Sequence, residues 1–249
     1  MSEHIKVARE TGVLTSALSR PQKKNALTAA MYERFMAALD EAEADAGVGA
    51  VIIHGEGGVF TSGNDIADFL ATARDMNDFA ALRFVRRIAI FDKPLVAAVD
   101  GVAVGVGVTM LFHCDLVYAT PAAQFRMPFV DLGLVPEAAA SLLAPLRFGM
   151  ARATEFLMLG EPFEAAQARA LGFVNDVIPA EQLLGFAHKR AMQLASKPRQ
   201  ALLATRRLMR GDRKDILARI DEEARIFAER MASEEARSVF MAFMNRSKK

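Results

Sequence analysis

The stretch GVAVGVGVTM, Gly101 to Met110, places glycines between an apolar run typical of a buried strand and a short helical pattern. A P-loop needs a lysine after its last glycine, and a dinucleotide fingerprint read from Gly105 needs glycine where Met110 stands, so neither phosphate motif fits. Two interpretations stay open. The glycines allow close packing or positive φ angles, or the loop presents free backbone N–H groups at a helix start, where they favour a developing oxyanion.

A second strand–loop–helix unit has the same character. The segment FTSGNDI, Phe60 to Ile66, follows the apolar β-branched run Ala50–His54 and precedes a helical pattern that Asp65 is placed to cap. Two such units can aim two N–H donors at one carbonyl oxygen. From the spacing alone this convergence is a hypothesis.

Strand, glycine loop and helix alternate through most of the chain, after a hairpin predicted around Thr11-Gly12. The predicted strands are Ala50–His54, Leu95–Val99, Leu116–Ala119, a segment near Gln124–Met127 and a strand-like segment near Phe173. The predicted helices follow Thr28, Asp65 and Glu137 and cover Asp75–Ile90, Val108–His113, Pro198–Arg210 and Ile216 to about Phe243. This alternation predicts an α/β fold, with a core domain over 1–195 and a C-terminal helical cap over 196–249.

Composition narrows the class of protein. Lys+Arg 31 against Asp+Glu 30 gives a net charge of +1 over 249 residues, which argues against a dedicated nucleic-acid or anionic-membrane binder. Cys114 is the single cysteine, so an internal disulfide is impossible and a reducing compartment is expected. The polar N-terminus and the short apolar runs predict neither a signal peptide nor a membrane span. We therefore expect a cytoplasmic protein.

Several ordered motifs resemble the crotonase family, also called the enoyl-CoA hydratase/isomerase superfamily. The motifs are RPQKKNAL (Arg20–Leu27), FTSGNDIADF (Phe60–Phe69), AAVDGVAVGVGVTM (Ala97–Met110), CDLVYA (Cys114–Ala119) and FVDLGLVPEAAAS (Phe129–Ser141). The resemblance implies a spiral of ββα units, a C-terminal helical region used in trimer packing, and acyl-CoA thioesters as substrates. A homotrimer or a dimer of trimers is therefore expected, with no cofactor beyond the coenzyme A of the substrate.

The resemblance also assigns binding residues. It places an oxyanion hole on the backbone N–H groups of Asn64 and Val106. It places coenzyme A contacts on Gln22, Lys23, Lys24, Ser62, Asp65 and Ile66. Cations near phosphate groups are electrostatically reasonable. A solvated turn is the alternative for the lysine pair, and the resemblance modestly favours the contact.

The positions of the carboxylates distinguish between branches of this family. Its hydratases use two glutamates, and the corresponding positions here are Thr109 and Phe129. Activating water needs a base and an acid, so ordinary hydration is disfavoured. An acid stands instead at Glu137, where peroxisomal-type Δ3,Δ2-enoyl-CoA isomerases carry their single catalytic glutamate. The resemblance thus implies conversion of a 3-enoyl-CoA to a trans-2-enoyl-CoA, with Glu137 moving one proton.

Other interpretations remain. Without the resemblance, Glu137 is a first-turn helix glutamate favoured by the dipole, whereas apolar neighbours would raise its pKa toward that of a useful base. A hydratase or another crotonase-type reaction is the alternative enzyme. A non-catalytic RNA-binding homologue is the alternative of another class, because Lys197–Lys214 is basic and helical.

Further polar residues are assigned structural roles. Asp131 has the wrong offset for either acid position, His113 and Cys114 are expected in the core, and the spacing of the histidines suggests no metal site. The acyl pocket is expected near four apolar side chains, none of which the sequence ranks above the others: Phe69, Phe79, Phe84 and Ile88.

Overall fold

The computed structural model describes residues 2–72 and 79–246, with side chains described over 2–69 and 79–242. The strands are β1 Ile5–Glu10, β2 Val13–Leu18, β3 Ala50–Gly55, β4 Leu95–Val99, β5 Val102–Val104, β6 Leu116–Ala119, β7 Gln124–Arg126, β8 Phe163–Glu164 and β9 Asp176–Val177. The α-helices are α1 Ala29–Ala44, α2 Ile66–Thr72, α3 Ala80–Ile90, α4 Val106–Thr109, α5 Ala140–Phe148, α6 Met150–Leu157, α7 Ala165–Ala170, α8 Ala180–Ala195, α9 Arg199–Arg210, α10 Arg213–Met231 and α11 Glu234–Arg246.

The main sheet has the order β1-β2-β3-β4-β6-β9. Its β1–β2 hairpin is antiparallel, and the remaining neighbours run parallel. The strands β3 and β4 are apolar along most of their length because both faces of the sheet are covered. Helix α8 packs on one face, and the larger core with α1 and α3 lies on the other. The predicted α/β class is confirmed.

A smaller sheet lies beside the main one and contains the glycine-rich loop. Its order is β5-β7-β8, with β5 and β7 parallel and β7 and β8 antiparallel. Strand β5 lies near the start of the GVAVGVGVTM stretch, and Gly105 alone separates it from α4. Pairing of β5 with β7 therefore holds the first part of the glycine-rich loop in the second sheet.

Local signals in the sequence explain where α1 begins. The Thr28 hydroxyl accepts a hydrogen bond from the Met31 N–H at 3.3 Å, as an N-cap residue does. The apolar positions predicted at helical spacing are all buried: Met31, Phe35, Ala38, Leu39 and Ala42. The hairpin at Thr11-Gly12 and the strands at 50–54, 95–99 and 116–119 also form as predicted.

Several predicted boundaries are wrong. The closing helix is two helices, because the Ser233 hydroxyl accepts from the Ala236 N–H at 3.2 Å and caps the start of α11. Near Phe173 only Asp176–Val177 pairs with a neighbouring strand. Of the helical segment predicted over Asp75–Ile90, α3 covers Ala80–Ile90, and residues 73–78 lie outside the described residues.

Candidate active site

The two glycine loops lie side by side. The Thr61 N–H donates to the Val102 carbonyl at 3.0 Å, and the Val104 N–H donates back to the Thr61 carbonyl at 3.0 Å. A Cβ added at Gly107 would lie 2.5 Å from Thr61 Cγ2. Close packing therefore explains Gly107, as the first interpretation of the loop proposed.

Gly105 has a different role. Its φ of 56° and ψ of −119° are accessible essentially to glycine alone, although an added Cβ would meet nothing within 4 Å. The conformation turns the chain from β5 into α4, which begins at Val106 and so two residues earlier than predicted. The Val106 N–H thus belongs to the first turn of a helix, where donors lack intrahelical acceptors.

The backbone N–H groups of Asn64 and Val106 have no hydrogen-bond acceptor among the described residues. The neighbours of Asn64 fix its peptide plane, because Leu27 donates to the Gly63 carbonyl at 2.8 Å and accepts from the Asp65 N–H at 2.9 Å. The Tyr32 hydroxyl donates to Asn64 Oδ1 at 2.6 Å. These contacts hold one free donor in place beside a cavity.

Two adjoining pockets meet at these residues. An inner pocket reaches toward α3 and α10, and an outer one reaches toward the loop before α2 and toward α11. The residues that border both pockets are Asn64, Phe69, Val106, Glu137 and Phe227. The residue predicted to supply the acid and the two residues predicted to supply the amide donors thus border the same two pockets.

Glu137 does not begin a helix. Helix α5 starts at Ala140, and the intervening Ala138 and Ala139 have φ angles of 59° and 58°, so the first-turn interpretation of Glu137 is wrong. The half-buried carboxyl group accepts a hydrogen bond from the Thr109 hydroxyl. Burial raises the Glu137 pKa to about 8, against the lowering effect of Thr109 and with a further increase from the Glu223 charge.

The predicted coenzyme A residues fall into three groups. Ser62 and Ile66 border the outer pocket. Gln22, Lys23 and Lys24 are exposed on a 3₁₀ turn, which is joined to the pocket edge by the Ser62 N–H bond to the Lys24 carbonyl at 2.9 Å.

Asp65 forms the third group. Its carboxylate pairs with Arg20 at 2.7 Å and accepts from the Asp68 N–H at 3.2 Å, so it stabilises the loop and the start of α2.

The inner pocket only partly matches the apolar residues that the sequence suggested. Phe69 and Phe79 line it, whereas Phe84 and Ile88 do not, because they lie on the α3 face that packs into the core. Ala81, Leu82 and Val85 occupy the pocket-facing side of α3. Sequence reasoning also missed the wall supplied by α10: Ile220, Ala224 and Phe227.

Three polar contacts at the site were not predicted: Thr109 to Glu137, Tyr32 to Asn64, and Glu223 to the start of α5. A signal existed for Thr109, since the resemblance places it at a hydratase acid position. The other two contacts join residues far apart in sequence, and no local pattern marks them.

His113 and Cys114 are buried, as predicted. Burial lowers the His113 pKa to about 4 and raises the Cys114 pKa to about 12. The two side chains are therefore not suited to form a thiolate–imidazolium pair. Within residues 2–72 and 79–246, no cluster of three or more potential metal ligands is found. In the same ranges, no helix has the length and apolar character required to cross a bilayer.

Two arginines of the basic segment around α9 bind a carboxylate of the core. Arg206 is buried and binds the Asp115 carboxylate at 2.9 Å, and Arg210 binds the same carboxylate at 2.9 Å. These arginines attach the helix to the core and are not available as a basic surface.

Comparison with known proteins is consistent across sequence and structure. Residues 8–249 match the family model described as enoyl-CoA hydratase/isomerase. The chain is 36% identical to enoyl-CoA delta isomerase 2 of Rattus norvegicus over 255 residues, covering 100% of this chain and 65% of that protein. The human protein of the same name is 33% identical, with 99% and 64% covered. The chain thus spans just under two thirds of the length of these relatives.

Solved structures agree with the family match. OdaA of Pseudomonas aeruginosa superposes with a TM-score of 0.94 at 44% identity, covering 98% of this chain and 99% of that one. An enoyl-CoA hydratase/isomerase of Pseudoalteromonas atlantica T6c gives 0.93 at 37% identity, with 98% of each chain covered. The chain therefore belongs to the enoyl-CoA hydratase/isomerase family, and its α/β structure has the crotonase fold.

Proposed function

We propose that this protein is an enoyl-CoA isomerase that converts a 3-enoyl-CoA to the trans-2-enoyl-CoA. The observation that carries the proposal is the position of Glu137, the one carboxylate among the described residues that borders either pocket. It lies with the unpaired N–H groups of Asn64 and Val106 around the same cavity. The names of the rat and human relatives support the same activity.

The chemistry needs one base. The N–H groups of Asn64 and Val106 bind the thioester oxygen and stabilise the negative charge that forms there. The Glu137 carboxylate removes a proton from C2, the electron pair moves into a dienolate, and the C3–C4 double bond becomes C2–C3 when Glu137 returns the proton to C4. The carboxylate is regenerated and no electrons are exchanged with a cofactor, so we propose none beyond the coenzyme A of the substrate.

The pockets suggest how the substrate lies. The inner pocket is lined by apolar side chains of α3 and α10 and suits the acyl chain. The outer pocket borders Ser62 and Ile66, next to the exposed Lys23 and Lys24, and suits the pantetheine arm leading to the phosphates. The thioester then lies at the junction, where the two N–H groups and Glu137 meet.

Hydration is the competing activity, since hydratases are also among the similar proteins, including 2,3-dehydroadipyl-CoA hydratase of Escherichia coli at 31% identity. Thr109 and Phe129 stand at the hydratase acid positions. The Thr109 hydroxyl donates a hydrogen bond to Glu137, and Phe129 lines the outer pocket without a polar group. Water addition would therefore lack both of the carboxylates that the hydratases use as base and acid.

A panel of enoyl-CoA esters tests the proposal. We expect 3-enoyl-CoA esters to gain the absorbance of the conjugated thioester, and crotonyl-CoA to retain it. A substrate deuterated at C2 should deliver deuterium to C4, because one carboxyl carries the label between the carbons. Loss of crotonyl-CoA absorbance without isomerisation of any 3-enoyl-CoA would establish the hydratase instead.

Replacement of Thr109 by valine should shift the pH dependence of the reaction. The hydroxyl stabilises the charged form of Glu137 and so lowers its pKa. Without it the pKa rises, the active carboxylate form requires higher pH, and the ascending limb of kcat/KM against pH moves upward from about 8. Thr109→Ser keeps the hydroxyl and should keep the wild-type profile. An unchanged pH profile for Thr109→Val would show that the Thr109 hydroxyl does not control the ionisation of the catalytic group.

The expected homotrimer, or dimer of trimers, remains a prediction. Large apolar side chains are exposed on α5, on α6 and just after α6, which supports burial against other copies: Leu146, Met150, Met158 and Leu159. Sedimentation analysis of the purified protein measures the assembly directly.

A further inference from the structure

The turn after Glu137 has a costly backbone. Ala138 and Ala139 are consecutive residues in the left-handed region, with φ of 59° and 58°, and both are fully buried. Any residue with a Cβ is disfavoured there, and such conformations persist only where the surroundings impose them. Since these residues set the direction of the chain next to the proposed base, what holds them also determines where Glu137 lies.

One contact comes from the side of the glycine-rich loop Gly101–Met110. His113 Nε2 lies 2.9 Å from the Ala138 carbonyl oxygen, and the ring is 1% exposed. A carbonyl only accepts, so this nitrogen carries the proton of the neutral imidazole. His113 ends the 3₁₀ helix that continues α4. It thereby joins the Glu137 turn to the helix that begins at Val106.

The other contact comes from α10. The Glu223 carboxylate accepts from the Ala139 N–H at 2.6 Å, from the Ser141 N–H at 2.9 Å and from the Ser141 hydroxyl at 2.5 Å. It is 4% exposed. Because the first N–H groups of a helix need acceptors, Glu223 caps α5 in place of a local N-cap side chain.

We propose that His113 and Glu223 are positioning residues, which hold Glu137 at its reacting place by binding the left-handed pair Ala138–Ala139 from both sides. This inference rests on the proposed function of Glu137. Neither positioning residue is among those that border the two pockets. They act through the backbone, and their loss should affect kcat more than substrate binding.

Glu223→Ala tests the inference. We expect kcat to fall about 10- to 100-fold with KM within about twofold, because a misplacement near 1 Å is enough to slow proton transfer to this extent. Adding Ala139→Gly should restore kcat several-fold, since glycine adopts the left-handed conformation without a contact to enforce it. Thr120→Val is the matched control. It removes a buried hydroxyl bond to Asp100 elsewhere in the fold, and should lower Tm while leaving kcat unchanged.

Defined outcomes would overturn the inference. These are a Glu223→Ala enzyme with wild-type kcat, or a loss of kcat that Ala139→Gly leaves unchanged. If Glu223→Ala does not fold, His113→Phe with and without Ala138→Gly provides the same comparison from the other side of the turn. If the wild type isomerises no 3-enoyl-CoA, the proposed function fails. In that case the crystal structure of Glu223→Ala tests the positioning role separately from activity. Retained left-handed φ angles at Ala138 and Ala139 would refute that role.

Discussion

Glu137→Gln is expected to slow the isomerisation of a 3-enoyl-CoA by about 10³- to 10⁴-fold in kcat, the upper part of the range for removing a general base. Glutamine keeps the shape of the side chain and can still accept from the Thr109 hydroxyl. It cannot remove a proton from C2. Initial rates followed at the absorbance of the conjugated thioester measure the effect. The acyl-CoA dissociation constant should stay within about threefold, because the amide donors that we propose bind the thioester oxygen are untouched.

Asp131→Asn is the matched control for this variant. It makes the same acid-to-amide change at a nearby carboxylate, which is exposed and pairs with Arg126 at 3.0 Å. We expect the wild-type kcat for Asp131→Asn. Substantial turnover by Glu137→Gln, or a comparable loss in Asp131→Asn, would show that the proton is carried by another group.

Gly105→Ala is expected to lower kcat/KM by about 10²-fold. The ψ angle of Gly105 sets the plane of the peptide that carries the Val106 N–H, and its φ of 56° with ψ of −119° is strained for alanine. Nothing lies within 4 Å of the added Cβ, so the alanine meets no steric clash. The peptide that carries the Val106 N–H is instead expected to rotate because this relieves the backbone strain at residue 105. Turning this donor away should cost about as much as deleting one oxyanion-hole donor, roughly 10²- to 10³-fold.

Gly211→Ala controls for backbone strain alone. Gly211 has φ of 68° and ψ of −158°, has the same open space for a Cβ, and lies at the end of α9 away from both pockets. Both variants should lose similar stability in thermal unfolding, and only Gly105→Ala should lose activity. Equal activity in the two variants would show that the Val106 N–H does not contribute to catalysis.

The sequence predicted the fold where the signals are local. The Thr28 cap, the Thr11-Gly12 hairpin and the apolar runs of β3 and β4 each specify their element through neighbouring residues. Prediction from the sequence failed where a contact with a residue distant in sequence overrides the local conformational preference. Helical periodicity from Glu137 could not reveal Ala138 and Ala139 as left-handed, because alanine favours a helix and the opposing contacts come from His113 and Glu223.

The candidate site was likewise predicted where motifs mark the residues and missed where distant packing places them. The ordered motifs indicated Asn64, Val106 and Glu137, and these residues border the same pockets. The roles assigned to them stay predictions until the variants are measured. The acyl pocket was predicted less well, since the phase of α3 decides whether Phe84 faces the substrate or the core. Its second wall, on α10, could not be inferred because nothing in the sequence of that helix pairs it with α3.

The bond from Glu223 to the start of α5 has a consequence for biosynthesis. Translation delivers the Glu137 segment well before α10 leaves the ribosome, so the nascent chain contains the proposed general base before the Glu223 side chain that binds the following turn. Strands β3 and β4 can pair during that interval, whereas the reacting geometry waits for the last helices. The proposed catalytic geometry is therefore completed late in synthesis, once α10 is present to bind the Ala139 and Ser141 N–H groups.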